Sequence, residues 1–262
     1  MNPRNGMIVG LLGAALVLGA ALPLYADEAL DNAFEALMSY DWGDNRGALR
    51  PIDEAVAAAG QDAEAAKDLE AKLSAVLGED VPHAAKDYTC RQLSLVGTAA
   101  SVPALAALLP DEKLSHMARY ALERIPDDEA AAAMRAALAD TDGLVKVGII
   151  NSLGARRDKA SAGELAKLLA DSDRQIAAAA AASLGSIGTP AAAKALDGFL
   201  DEAPAELKHD AAHAYLLCAE RLLADGNRPQ ALLIYRKLAA ADLPGHIKVA
   251  ATRGMLSAAG KQ

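Results

Sequence analysis

The stretch DSDRQIAAAAAASLGSIGTPAAAKALDGFL, Asp171 to Leu200, decides how this chain folds. Asp173 is placed to accept bonds from the free backbone N–H groups at a helix start. Ile176, Ala180, Leu184 and Ile187 follow at steps of four, four and three, so they share one helical face. Gly185 and Gly188 supply flexible backbone near the helix end. Thr189 and Pro190 restart the chain, with Pro190 suited to the first turn of a second helix. Leu196, Phe199 and Leu200 give that helix its own apolar face. The unit is a helical hairpin. One hairpin cannot bury both faces alone, so neighbours must stack.

A second copy precedes it: DTDGLVKVGIINSLGARRDKASAGELAKLL, Asp140 to Leu169. The anchor leucines Leu93, Leu122, Leu153 and Leu184 lie 29, 31 and 31 residues apart. Twelve residues after each come Leu105, Met134, Leu165 and Leu196, and sixteen after come Leu109, Leu138, Leu169 and Leu200. Leu114, Val145 and Ile176 stand eight before the last three anchors; Asp111, Asp142 and Asp173 stand eleven before them. Such a fixed period signals a repeat array. Roughly a quarter of the residues are alanine, and only two are phenylalanine. Alanine and leucine favour helix, while β-branched and aromatic residues are too sparse for a large sheet. The composition predicts an all-α protein with thin, closely packed layers.

These units resemble HEAT repeats, more closely the short-period HEAT-like kind of bacterial proteins and phycobilisome lyases. The resemblance spans about Val81 to Leu200. Lys146 partly matches an arginine common in that family, whereas Ala177 departs from it. The resemblance implies a right-handed α–α superhelix whose second helices line the inner face. That makes Arg135, Glu164, Lys167, Lys194 and Asp197 candidate contacts, a mixed-charge set that names no ligand. Past Leu200 the period breaks at DEAPAE. There Gly226, Ala231, Tyr235 and Pro244 resemble a tetratricopeptide hairpin, with helices over about Leu207–Ala224 and Arg228–Ala241. A last helix over about His246–Ala259 is expected to cover the open end. At the other end, Leu30, Phe34, Leu37 and Met38 share a face, and Ile52–Val56 and Leu69–Leu77 suggest two further helices. The expected organisation is a helical cap over residues 27–80, HEAT-like repeats over 81–204, and the hairpin with its capping helix over 205–262.

Residues 1–26 read as an export signal. Arg4 precedes the apolar run IVGLLGAALVLGAAL from Ile8 to Leu22, and Pro23 to Ala26 lead to a cleavage point before Asp27. The run is short for a membrane span of about 20 residues; the alternative is an uncleaved anchor. Periplasmic or extracellular placement follows from a cleaved signal. Only one basic and no acidic residue lies in Met1–Ala26, so the rest carries 25 basic against 35 acidic residues, a net charge of −10. Phosphate backbones demand clustered Lys and Arg, which argues against nucleic acid and anionic membrane as partners.

Chemical motifs are weak. His209 and His213 in HDAAH face the same way on a helix at a zinc-compatible spacing, but the sequence supplies no third ligand at a standard offset; no metal is expected. Asp41–Gly47, DWGDNRG, puts Arg46 at the sixth position of a calcium loop and Ile52 at the twelfth, where glycine and glutamate are needed. It reads instead as a turn, with Trp42 packed against the next layer. Arg156 interrupts the apolar column Val96, Ile125 and Ile187, and Arg157 stands where other copies have glycine or proline. The pair either covers a hydrophobic edge with its heads in water or meets an acidic partner group, since arginine forks suit carboxylates. Cys90 and Cys218 lie four hairpins apart. Adjacent helices pack about 8–10 Å apart and a disulfide needs Cα atoms within about 7 Å, so both should be free, buried thiols. No nucleophile–base set, P-loop or dinucleotide glycine run occurs, and neither catalytic residues nor a cofactor are assigned. The expected function is a non-catalytic, exported, protein-binding or scaffolding solenoid. An enzyme subunit or chaperone akin to HEAT-like lyases and a purely structural envelope component stay open as alternatives.

Overall fold

In the structure, a computed structural model that describes residues 22–260, every regular element among the described residues is helical. The apolar run of the expected export signal lies outside the described residues except for Leu22. Among the described residues no helix is long and apolar enough to cross a membrane.

Helices α1 (Leu22–Met38), α2 (Arg50–Ala58) and α3 (Ala63–Gly78) form the N-terminal part. Hairpins follow in order: α4 (His83–Val96) with α5 (Val102–Ala106), α6 (Ser115–Leu122) with α7 (Asp128–Ala137), and α8 (Gly143–Ala155) with α9 (Ala162–Leu168). Next come α10 (Arg174–Ile187) with α11 (Pro190–Glu202), and α12 (Lys208–Ala224) with α13 (Arg228–Ala240). Helix α14 (Gly245–Ala259) packs against α12 and α13 at the end of the stack. First helices α4, α6, α8, α10 and α12 contact one another in sequence, and second helices form a parallel layer beside them.

The periodic residues of the sequence form the core. Leu93, Leu122, Leu153 and Leu184 are all fully buried, and so are Leu105, Met134, Leu165 and Leu196 in the second helices. Asp173 caps α10 by accepting the Gln175 N–H at 2.8 Å, and Thr189 caps α11 by accepting the Ala192 N–H at 3.1 Å. Asp111 accepts the Lys113 and Leu114 N–H groups at 2.8 and 3.0 Å. Asp142, at the same repeat position, makes no such bond.

The first-helix layer is the tighter of the two because its contacts are small. A Cβ on Gly154 would lie 2.6 Å from Ser183 Oγ, and one on Gly185 only 2.5 Å from the Ala214 carbonyl oxygen. Gly185 is therefore not a flexible end, as its place near the helix terminus suggested. It is a mid-contact residue that lets α10 and α12 touch backbone to backbone. The Ser183 hydroxyl donates to the Ile150 carbonyl at 2.9 Å across the α8–α10 contact.

The N-terminal cap is tied to the repeats by buried polar groups. Glu70, only 4% exposed, accepts from the Thr98 N–H at 2.6 Å and the Ser101 N–H at 3.1 Å, so α3 closes the turn before α5. Asp53 accepts from the Tyr88 hydroxyl at 2.9 Å and from Gln92 at 3.0 Å, joining α2 to α4. The turn at Asp41–Gly47 forms as expected: Asp44 accepts the Asp41 N–H at 2.8 Å and Asn45 accepts the Gly47 N–H at 2.9 Å. Trp42 does not pack into the next layer; it is 63% exposed, with the His83 ring 6.4 Å away. A turn this short leaves the ring facing solvent near the start of α4.

Cys90 in α4 and Cys218 in α12 are both free and buried. Burial pushes both thiols up to about 12, so they carry no thiolate at neutral pH.

Two glycine substitutions test this packing with opposite signs. Gly185→Ala should cost about 1–3 kcal/mol, because the Ala214 backbone cannot move aside. Gly198→Ala, in α11 with nothing within 4 Å of the added Cβ, should stabilise by roughly 0.5–1 kcal/mol through helix propensity alone. Urea unfolding of the two variants measures both; equal effects would refute the close approach of α10 to α12.

Candidate binding surface

In α10 the turn ends on Gly188, left-handed at φ +64°, whose N–H closes the Leu184 carbonyl at 3.1 Å. Gly97, in extended backbone, also donates its N–H to the Leu93 carbonyl at 2.8 Å. The equivalent residue after α6 is Pro126, which has no N–H to give. The end of α6 would therefore keep free carbonyls. Arg156, from the next repeat, supplies the donors. Its guanidinium donates to the carbonyls of Leu122 at 2.7 Å, Glu123 at 3.2 Å and Asp127 at 3.0 Å, and also to that of Ile125. A cation at a helix C-terminus is favoured by the dipole as well. Arg156 thus replaces a missing backbone donor. It is not a head left in water, and its donors are not free for an acidic partner.

Arg157 occupies the left-handed position itself, at φ +53°. The turn around it is a full Schellman closure: the Arg157 N–H bonds the Gly154 carbonyl and the Asp158 N–H bonds the Leu153 carbonyl, both at 3.0 Å. Its side chain pairs with Asp225 at 2.8 Å, at the end of α12. Arg135 is also engaged, with Asp158 at 2.6 Å in a largely buried pair that fixes the turn before α9.

The remaining candidates lie on the second-helix layer, which opens where the first-helix layer closes. Between α9 and α11 runs a groove of about 880 Å³. Its floor is small (Ala166, Ala170, Ala195 and Gly198), its walls include Leu169, Phe199 and Leu207, and Arg174, Lys194 and Glu202 bring charge. Lys194 also borders an adjoining recess of about 350 Å³ between α11 and α13, with Asp197, Tyr215, Leu233 and Lys237. Leu233 is 64% exposed there. Lys194 and Asp197 of the sequence-derived set therefore line one continuous surface. Glu164 and Lys167 are exposed on α9 but line neither recess.

Asp197 is held in place. Its carboxylate accepts from the Tyr215 hydroxyl at 2.7 Å and from Lys237 at 2.8 Å. Burial opposes its ionisation, but the hydrogen bonds from Lys237 and Tyr215 outweigh that and keep the carboxyl below its usual range. Burial, reinforced by Asp197, pushes the Tyr215 hydroxyl well up, so it stays a donor. Sequence reasoning missed Tyr215 and Lys237, because their meeting with Asp197 depends on how α11, α12 and α13 pack.

Residues 134–215, from α7 into α12, match the family model described as HEAT repeats. The fold is that of a HEAT-like helical solenoid. Among solved structures, the archaeal HEAT-like repeats protein from Thermococcus onnurineus superposes at a TM-score of 0.50 and 14% identity, over 87% of this chain and 96% of that one. At that identity the likeness is one of fold. Human deoxyhypusine hydroxylase aligns at a TM-score of 0.39 and 18% identity, over 92% of this solenoid and 99% of that chain. The CpcE–CpcF complex of phycocyanin lyase from Nostoc sp. aligns at 0.41 and 18%, over 98% and 100%. No curated protein matches the sequence.

Arg156→Ile would restore the apolar residue of the other repeats. It should nonetheless destabilise by about 2 kcal/mol, because it strips charged donors from partly buried carbonyls. In a Pro126→Gly background the loss should shrink, since the glycine N–H can close Leu122. A double-mutant cycle by denaturant unfolding measures this coupling; additive losses would separate Arg156 from the end of α6.

Proposed function

We propose that this chain is a non-catalytic binding solenoid, exported from a bacterial cell, that holds an extended segment of another protein along its second-helix face. The observation that carries this reading is the pair of adjoining recesses across α9, α11 and α13, with an alanine and glycine floor and charge of both signs. A floor without large side chains lets a backbone come close, apolar walls accept side chains, and Lys194 with Glu202 can set direction and register. The net charge of −10 outside Met1–Ala26 fits a protein partner better than a polyphosphate. Export rests on the order of Arg4, the Ile8–Leu22 run and Ala26.

A photo-crosslinking residue at Ala195 tests the reading in the producing cell, with a second at Glu112, away from the second-helix layer, as the control. The expected result is one defined protein adduct from Ala195, absent from Glu112 and abolished when Gly198→Trp fills the floor. No adduct at Ala195, or the same adducts from both positions, would contradict it.

A further inference from the structure

Three of the five histidines of this chain converge on one point. His209 and His213 stand four apart on the first turns of α12, and His246 stands at the start of α14. One ring nitrogen from each lies within 4.8 Å of the others, and all three side chains are exposed. The Nε2 atoms of His213 and His246 are 3.4 Å apart, with their rings stacked at 5.4 Å and 28°. The His209 ring lies 6.1 Å from that of His246. The sequence alone offered two imidazoles at a helical spacing; packing α14 against α12 brings the third from thirty-three residues farther along the chain.

We propose that His209, His213 and His246 bind one divalent transition-metal ion, with zinc the best fit. Two nitrogens bound at about 2.0–2.1 Å around a tetrahedral zinc are separated by roughly 3.4 Å, the separation already present between His213 and His246. The site contains only imidazole, without the oxygen cage that calcium or magnesium requires. Three protein ligands leave the fourth position of a tetrahedral ion for water or a donor from elsewhere. The exposure of all three rings gives the ion a direct path in from solvent. His213 also borders a recess of about 450 Å³ between α10 and α12, so the open position is within reach of a bound molecule. The ion would also clip α14, the last helix of the stack, to α12. This site is independent of the second-helix surface and stands or falls separately from the function proposed for it.

Calorimetric titration of the tag-free full chain with zinc chloride, against a competing weak chelator, tests the site. The expected result is one zinc per chain and a higher thermal midpoint. Loss of an outer partner alone weakens metal sites by about 10–100-fold, so His246→Ala should weaken binding at least as much. His116→Ala, outside the cluster, should leave it unchanged. Cobalt in place of zinc should give the intense visible bands of a four-coordinate ion, lost in His246→Ala. Circular dichroism of the apo variants checks that the helices persist. Zinc binding that His246→Ala leaves unaltered, or no saturable binding at tenfold excess of zinc, would overturn the proposal.

Discussion

The close approach of consecutive first helices governs the rest of the structure. Gly154 against Ser183, and Gly185 against the Ala214 carbonyl, hold α8, α10 and α12 at distances that no larger residue permits. That constraint explains why alanine dominates the chain: thin layers bury apolar surface by proximity more than by side-chain volume. It also explains the second-helix layer. Where one layer closes on small residues, the other keeps room between α9 and α11, and that room is the groove. Architecture and candidate binding surface thus share one cause.

Stacking at short range leaves little slack at the helix ends, and each end has to be closed locally. Gly97 and Gly188 do this with backbone N–H groups, and Arg157 does it from a left-handed conformation that glycine adopts more easily. Pro126 cannot, and Arg156 from the following repeat takes over. The irregular residues of the period are thus cross-repeat repairs. Glu70 at the Thr98 turn follows the same logic, as does the pairing of Arg119 with the Gly148 carbonyl and Ser152, which needs the space that glycine leaves.

Periodicity made the fold legible. Leu93, Leu122, Leu153 and Leu184 marked the buried column without a structure, and the three helices from Lys208 to Ala259 fall within one residue of the expected bounds. Departures from the period were harder to interpret. Arg156 invited a functional reading because the carbonyls it satisfies are about thirty residues earlier, and the missing donor at Pro126 is not visible as a missing side chain. Trp42 was expected to pack against the next layer, yet its short turn faces solvent. Gly185 looked like a helix end because a glycine near a terminus usually is one; only the neighbouring helix shows its purpose. The meeting of His246 with His209 and His213 lay beyond local spacing altogether, since it depends on how the capping helix docks.

The closely packed first helices form one cooperative unit to which the other elements are attached. Native-state hydrogen exchange measures this directly. Backbone amides of α8, α10 and α12 should show the highest protection and open together at a single free energy, with α1 and α14 exchanging earlier. Separate opening of α8 and α10, or higher protection in the second helices than in the first, would contradict it.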